Sequence, residues 1–175
     1  MSRFPTVFLD RDGTINVKAP EGAYITSPDG LELLPGAAAA VARLNSAGAH
    51  VVLITNQRGI ARGLMSDRDY AAVHDRLIEL LQRDGASVDA AYLCPHASGS
   101  CECRKPLPGM LLRAAAERPQ IALERSVMIG DAESDVAAGR AAGTATVRIA
   151  PPGTVTAADV LVPDLTSAVD WVLKG

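Results

Sequence analysis

Carboxylates, a hydroxyl group and a lysine follow four apolar stretches of the sequence, close to the point where each stretch ends. In chain order these residues are Asp10, Asp12, Thr55, Lys105, Asp131 and Asp135. Carboxylates that meet at one place repel each other unless a cation holds them, and hard oxygen ligands of this kind suit Mg²⁺. Lys105 and Thr55 would offer a positive charge and a hydrogen-bond donor to an anionic substrate. Together these groups favour phosphoryl transfer, which needs a metal ion and donors that offset the charge of the phosphoryl oxygens.

The first two aspartates can divide the chemistry between them. Asp10 is placed to attack phosphorus, because a carboxylate can form a covalent phospho-enzyme. Asp12, two residues on, can protonate the leaving oxygen and later deprotonate a water molecule. Each stretch taken alone has an ordinary explanation, since a lone Asp-x-Asp is usually a turn or a solvated pair. Four such stretches in this order favour a phosphoryl-transfer site.

The elements that must position these residues alternate along the chain between buried strands and helices. The predicted strands are 6–10, 50–56, 88–95, 126–131, 144–149 and a short one within 158–165. The predicted helices are 35–48, 66–85, 108–119, 133–143 and the C-terminal segment 166–175. Strands without polar alternation favour a parallel sheet covered on both faces, which predicts a Rossmann-like three-layer α/β/α fold. Ligands bind at the carboxyl edge of such a sheet, so the four stretches are expected to converge there.

Length and charge narrow the class of protein. The 175 residues fit one domain, and the expected domain is the whole chain, 1–175. A net charge of −3 and a pI near 5.6 argue against a nucleic-acid partner. The apolar runs fall short of the roughly 20 residues that a membrane span requires. The N-terminus does not resemble a signal peptide. We therefore expect a cytoplasmic protein without a membrane partner.

All three cysteines lie in one loop, CPHASGSCECRKP, residues 94–106. The pattern C-x-H-x4-C-x-C comprises Cys94, His96, Cys101 and Cys103. Three thiolates and one imidazole are typical of a closed, structural Zn²⁺ site, here within a zinc loop at 94–103. Disulfides are disfavoured in a cytoplasmic protein and would leave one cysteine unpaired, and a reactive thiol is the other alternative. Bound zinc would supply the folding energy of this loop and aim Arg104 and Lys105 at the site.

From DRDGT (10–14) through Thr55 and Lys105 to GDAESD (130–135), the chain resembles the haloacid dehalogenase (HAD) superfamily of phosphotransferases. The resemblance implies a phosphoaspartyl intermediate, with Asp10 as nucleophile and Asp12 as general acid and base. It implies that Thr55 and Lys105 stabilise the transferred phosphoryl group. The implied Mg²⁺ ligands are Asp10, the backbone of Asp12, and Asp131, and Asp135 matches the second acidic position. Predicted elements fill the intervals between the motifs, which leaves no room for a cap domain.

Within the superfamily, three motifs are similar to those of the D-glycero-D-manno-heptose 1,7-bisphosphate phosphatases. They are DRDGTIN (10–16), TNQRGIARG (55–63) and the pattern CPH…CxCRKPxPGM (94–110). This family implies a Mg²⁺-dependent enzyme with structural zinc, typically monomeric, that acts on a small sugar phosphate. It removes the 7-phosphate during the biosynthesis of nucleotide-activated heptose. Histidinol-phosphate phosphatases share DRDGT and the zinc loop and stand as the alternative, as do other small sugar or polyol phosphate phosphatases.

The expected substrate contacts are Arg104, Asn56, Tyr24 and Arg58. Arg104 lies at the family's recognition position for the second phosphate. Family members often carry a lysine after the metal-binding aspartate, where this chain has Ala132. Arg58 stands where a serine is common, and it would either compensate for that lysine or be a solvated loop arginine.

A zinc-stabilised binding module is the alternative from another class of protein. Arg104 and Lys105 would then contact nucleic acid or a protein partner. The acidic pI, the aromatic content of 3% and the three aspartates at the sheet edge oppose it.

Overall fold

The computed structural model describes residues 3–174, which build one six-stranded, fully parallel sheet. Its strands are β1 (Thr6–Leu9), β2 (His50–Asn56), β3 (Ala90–Cys94), β4 (Ser126–Gly130), β5 (Ala145–Ile149) and β6 (Val160–Val162). They lie side by side in the order β3-β2-β1-β4-β5-β6. The first strand therefore lies in the middle of the sheet, between β2 and β4. That order brings the carboxyl ends of β2, β1 and β4, where Thr55, Asp10 and Asp131 lie, next to each other.

Five helices cover the two faces of this sheet. They are α1 (Ala37–Ser46), α2 (Asp67–Arg83), α3 (Gly109–Glu117), α4 (Glu133–Ala142) and α5 (Leu165–Leu173). The apolar side chains form two separate clusters, one on each face of the sheet. Val7 and Leu9 belong to the cluster with α1, α2 and α5, and Phe8 to the cluster with α3 and α4. Successive residues of a strand point to opposite faces, so a buried strand needs the unbroken apolar run of β1.

The predicted three-layer α/β/α class is confirmed, and the helix boundaries follow from local signals. Ser66 caps α2 by accepting a hydrogen bond from the backbone N–H of Asp69, whose carboxylate accepts one from the Ser66 N–H. This reciprocal pair satisfies two backbone donors that a helix start leaves free. Gly143 ends α4 with φ of 82°, a conformation that L side chains rarely adopt.

Among residues 3–174, no helix combines the length and the apolar character that crossing a membrane requires.

Candidate active site

The register of the sheet places the catalytic candidates at one edge. Leu9, the last residue of β1, pairs with Leu53 on one side and with Ile129 on the other. The backbone N–H of Asp10 donates to the Ile129 carbonyl at 3.0 Å, which fixes Asp10 where the strand ends. Residues that follow the three central strands therefore meet, as expected for a parallel sheet.

Lys105 lies buried between two of the predicted acidic residues. Its Nζ is 2.6 Å from Asp10 Oδ1 and 2.6 Å from Asp135 Oδ1, and it also donates to the Ile54 carbonyl at 3.0 Å. Burial alone would lower the pKa of Lys105, but the two carboxylates raise it above its ordinary value. Lys105 is therefore protonated, and its ammonium group contacts Asp10, the proposed nucleophile.

Three carboxylates form the candidate metal centre. One oxygen each of Asp10, Asp131 and Asp135 lies within 4.8 Å of the others. Within residues 3–174, no hydrogen-bond donor reaches the buried Oδ1 of Asp131. Burial and the neighbouring Asp10 raise the pKa of Asp131, and burial and Asp135 raise that of Asp10 to about 6. A cluster of hard oxygen ligands with an unpartnered carboxylate oxygen fits Mg²⁺.

Two glycines allow these carboxylates to come so close together. A Cβ on Gly13 would collide with the carboxylate of Asp131, and Gly13 also has φ of 86°. A Cβ on Gly130 would collide with the carboxylate of Asp135. Any larger residue at either position would therefore have to displace a member of the cluster.

Asp12 lies beside this cluster and is surrounded by hydrogen-bond donors. Its Oδ1 accepts from Arg11 and from Asn16, each at 3.0 Å, and its Oδ2 accepts from Gln57 at 2.8 Å. Burial by itself would raise the pKa of Asp12, but Arg11 and these hydrogen bonds lower it below its ordinary value. Arg11 is fully buried, so its charge acts on Asp12 with little screening by water.

The residues after β2 hold the site together from the other side. Both polar atoms of the Asn56 side chain bind the backbone of Lys105, with the amide donating at 3.0 Å and the carbonyl accepting at 3.1 Å. The buried hydroxyl of Thr55 accepts a hydrogen bond from Gln57 at 2.9 Å. Asn56 therefore positions Lys105, and its expected contact with the substrate stays a prediction.

Two cavities open next to the cluster. One of about 200 Å³ is lined by Asp10, Asp12, Arg104, Lys105 and Asp131 among others. One buried guanidinium nitrogen of Arg104 has no hydrogen-bond partner in the described part of the chain. The other, of about 250 Å³, is lined by residues 18–25 and 56–58. Asp12, Lys18 and Asn56 belong to both cavities. A substrate can thus extend from the carboxylates into the second cavity.

The second cavity is lined by the loop after β1 and the loop after β2. Tyr24 packs its ring on Gly59, where a Cβ would lie only 2.8 Å from the ring carbon Cγ. Arg58 donates to the Tyr24 hydroxyl at 3.4 Å and to the Ser98 hydroxyl at 3.4 Å, so it links the loop after β1 to the zinc loop. Tyr24 and Arg58 line this cavity, and their expected contacts with the substrate stay predictions.

The predicted zinc ligands form one cluster, with all four ligand atoms within 4.8 Å of one another. Cys94 Sγ lies 3.6 Å from Cys101 Sγ, and His96 Nδ1 lies 3.7 Å from Cys94 Sγ and 3.2 Å from Cys103 Sγ. A tetrahedral zinc site with Zn–S bonds of about 2.3 Å separates two sulfur ligands by about 3.8 Å. The four side chains therefore fit zinc, with Nδ1 as the histidine ligand atom.

As thiolates, the three cysteines of this cluster would need a cation. Burial and the neighbouring thiols Cys94 and Cys101 raise the pKa of Cys103 to about 12. Three thiolates at these distances repel one another, and a bound Zn²⁺ removes that penalty because it binds the deprotonated form. The loop rests directly on the start of α3, since a Cβ on Gly109 would collide with the carbonyl of Glu102.

A protein-family model described as a haloacid dehalogenase-like hydrolase matches residues 4–143. The chain belongs to this family. It is 44% identical over 149 residues to the D-glycero-beta-D-manno-heptose-1,7-bisphosphate 7-phosphatase of Rhodopseudomonas palustris, covering 81% of each chain. It is 40% identical over 131 residues to the D-glycero-alpha-D-manno-heptose-1,7-bisphosphate 7-phosphatase of Mycobacterium tuberculosis H37Rv, covering 74% of this chain and 68% of that one.

Solved structures of the HAD-like family share the whole architecture of this chain. The D,D-heptose 1,7-bisphosphate phosphatase of B. bronchiseptica, complexed with magnesium and phosphate, superimposes with a TM-score of 0.85 at 36% identity. The match covers 97% of this chain and 98% of that one. The predicted family and the prediction of an HAD-type phosphatase are therefore confirmed.

Lys18 and Gln57 contact residues of this HAD-like site but are not among the residues predicted from the sequence. Lys18 Nζ lies 3.0 Å from Asp131 Oδ2, although the two are 113 residues apart and Lys18 is largely exposed. Gln57 joins Asp12 to Thr55. Its position two residues after Thr55 was an available signal, because side chains at i and i+2 of an extended segment point the same way.

Proposed function

We propose that the protein is a Mg²⁺-dependent phosphatase that hydrolyses the 7-phosphate of D-glycero-D-manno-heptose 1,7-bisphosphate, in the biosynthesis of nucleotide-activated heptose. The observation that carries the proposal is the contact of buried Lys105 with Asp10, inside a cluster of three carboxylates at the edge of the sheet. The names of the relatives in Rhodopseudomonas palustris and Mycobacterium tuberculosis support the substrate. These relatives differ in the anomer that they are named for, so the proposal covers both anomers.

Asp10, Asp131 and the backbone of Asp12 would hold the Mg²⁺ ion. When bound, the ion offsets the negative charge of the phosphoryl oxygens and of the carboxylates. Asp135 would not need to bind it, because its Oδ1 pairs with Lys105 and its Oδ2 accepts from the Ala132 N–H at 3.0 Å. We assign Asp135 the role of fixing Lys105 in the site.

In the first half of the reaction, Asp10 forms a bond to phosphorus while the bond to the sugar oxygen breaks. Asp12 delivers a proton to that oxygen, and the sugar leaves as an alcohol. A phosphate dianion beside Asp12 raises its pKa, which favours the protonated form that this step needs. Lys105 and Thr55 offset the charge of the transferred phosphoryl group.

In the second half, a water molecule attacks the phosphoaspartyl group on Asp10. Asp12 accepts a proton from this water, and the bond between phosphorus and the Asp10 oxygen breaks to release inorganic phosphate. The donors that lower the pKa of Asp12 in the absence of substrate favour its ionised form. That form is the base required for this half of the reaction.

The second phosphate of the substrate requires cations in addition to Lys105. Arg104 lines the smaller cavity with an unpartnered buried nitrogen, and Arg58 and Tyr24 line the larger one. We assign the second phosphate to Arg104 and the sugar to the cavity beside Tyr24. Arg58 is already hydrogen-bonded to two loops, so it would shape the cavity as well as add charge.

The remaining assignments follow from the same reading. Residues 1–175 would form a single phosphatase domain, in which Zn²⁺ at 94–103 is structural and supports Arg104 and Lys105. The protein would act as a cytoplasmic monomer on a small molecule, with neither nucleic acid nor membrane as a partner.

A side-by-side measurement of kcat/KM tests the proposed substrate. The substrates are both anomers of the heptose bisphosphate and histidinol phosphate, each with and without Mg²⁺. We expect one heptose anomer to exceed histidinol phosphate by at least a hundredfold, with turnover that depends on Mg²⁺. Asp10→Asn should abolish turnover, whereas Lys174→Ala, which changes an exposed lysine near the C-terminus, should not. A preference for histidinol phosphate would refute the proposed substrate, and activity in Asp10→Asn would refute the mechanism.

A further inference from the structure

Gln57 is a buried, uncharged residue at the centre of the candidate site. It follows the last residue of β2 and is only 1% exposed. Its backbone N–H donates to the carbonyl of Cys94 at 2.8 Å, at the end of β3. Both the backbone and the side chain of Gln57 are therefore held by neighbouring elements.

One side-chain nitrogen of Gln57 contacts two residues of the proposed mechanism. Its Nε2 donates to Asp12 Oδ2 at 2.8 Å and to Thr55 Oγ1 at 2.9 Å. A carboxamide has two N–H donors on this nitrogen, so each hydrogen serves one of the two contacts. Gln57 therefore determines how the Asp12 carboxylate and the Thr55 hydroxyl are oriented relative to each other.

The two oxygens of Asp12 are not equivalent. Oδ1 accepts from both Arg11 and Asn16, whereas in the described part of the chain Oδ2 accepts from Gln57 alone. A carboxylate oxygen can accept more than one hydrogen bond, so Oδ2 keeps capacity to carry a proton. Asp12 lines both cavities, which places this residue at the border of the substrate site.

The contact with Thr55 has a corresponding effect. A hydroxyl group that accepts a hydrogen bond still has its own hydrogen to donate. Because Gln57 is the donor in this contact, the Thr55 hydrogen is free to bind an oxygen of the phosphoryl group. A carboxylate in place of Gln57 would instead take that hydrogen.

We propose that Gln57 is a positioning residue, which presents Oδ2 of Asp12 to the leaving oxygen and keeps the Thr55 hydrogen available for the phosphoryl group. This inference rests on the proposed phosphatase function. It predicts that loss of the Gln57 donors harms chiefly those substrates whose leaving oxygen needs a proton. A sugar alkoxide needs one, whereas p-nitrophenolate leaves without one.

The test compares the two kinds of substrate in Gln57→Met, which keeps the side-chain length and removes the donors. A general acid contributes about 10²–10⁴ to the rate, and we expect a mispositioned one to lose about 30-fold. The value of kcat/KM should fall about 30-fold for the heptose bisphosphate and less than about threefold for p-nitrophenyl phosphate. The reference variants are Asp12→Asn, expected to separate the two substrates further, and Thr55→Val, expected to lower both alike.

Three outcomes overturn the inference. The first is an unchanged kcat/KM of Gln57→Met for the heptose bisphosphate, and the second is an equal fall in kcat/KM for both substrates. The third is that Gln57→Met lowers kcat/KM in the Asp12→Asn background as much as it does in the wild-type background. Circular dichroism and zinc content check that Gln57→Met is folded, and Gln57→Ala is the second variant should it not fold. If the wild-type protein hydrolyses only other phosphate esters, the proposed substrate is wrong. The comparison is then made with a simple alkyl phosphate, which tests Gln57 independently.

Discussion

Replacing Lys105 by methionine should destabilise the protein, because it leaves two buried carboxylates facing each other. Lys105 is 3% exposed and lies 2.6 Å from both Asp10 and Asp135. Their nearest metal-binding oxygens lie within 4.8 Å, where two unit charges at an effective dielectric constant of about 20 repel by about 3.5 kcal/mol. Once both carboxylates are ionised, we expect the free energy of unfolding to fall by about this amount. For a chain of this size, the loss corresponds to about 7–14 °C in Tm.

The loss of stability in Lys105→Met should depend on pH, and the pKa of Asp10 determines in which direction. Burial and Asp135 raise the pKa of Asp10 to about 6 with Lys105 in place, and removal of Lys105 raises it further. A carboxyl group with a raised pKa in the folded state contributes stability below its unfolded pKa of about 3.9 and loses it as the pH rises through the folded value. The difference between variant and wild type should therefore be small below about pH 6, the pKa of Asp10 with Lys105 in place, and should grow as the pH rises above that value.

Urea denaturation followed by circular dichroism measures this effect, in Mg²⁺-free buffer with zinc retained. The double variant Lys105→Met/Asp135→Asn removes one of the two charges and should recover more than half of the loss. Lys174→Met changes a lysine that is 79% exposed and should behave like wild type. The reasoning is refuted if Lys105→Met stays within about 1 kcal/mol of wild type at every pH up to about 9, or if the second substitution recovers nothing.

Three further predictions concern the cluster and the zinc loop. Gly130→Ala places a Cβ against the Asp135 carboxylate, so it should lower Tm and reduce kcat at least tenfold. Gly30→Ala, whose added Cβ would make only ordinary contacts, is the control and should do neither. A normal kcat in Gly130→Ala would contradict the crowding argument. Lys18→Ala removes an ammonium that competes for Asp131, so a Mg²⁺ titration of activity should show tighter half-saturation, and weaker half-saturation would contradict this. Cys101→Ser should lose its zinc, and its kcat/KM should fall at least tenfold, while the far-ultraviolet circular dichroism spectrum stays that of the folded protein. Ser100→Ala is the control. Full activity in zinc-free protein would show that the loop does not depend on the metal.

Much of the fold could be predicted because its signals are local. The strand 50–56 was predicted from an unbroken apolar run, and Ser66 with Asp69 indicated the start of α2 at the correct residue. The convergence of Asp10 and Lys105 followed from the rule that parallel strands end at one edge. That rule needs only the order of elements along the chain, which the residue pattern supplies.

The rest of the site depends on contacts between distant loops. Lys18 stands in a segment without periodicity and pairs with Asp131, so nothing near Lys18 in the sequence indicates its partner. The cavity beside Tyr24 forms where two loops approach, and loop paths follow from tertiary packing rather than from propensity. The use of Asn56 to hold the Lys105 backbone has the same origin, since its partner is 49 residues away.

Because the zinc loop packs on Gly109, hydrogen exchange at the beginning of α3 should depend on whether zinc is bound. The Leu112 N–H donates to the Pro108 carbonyl at 3.0 Å, in the first turn of α3, which also contains Gly109. Release of the ion would uncover this backbone and speed the exchange of its amide hydrogens with deuterium. Mass spectrometry of peptides from this one turn would thus distinguish loaded from empty molecules without any substrate.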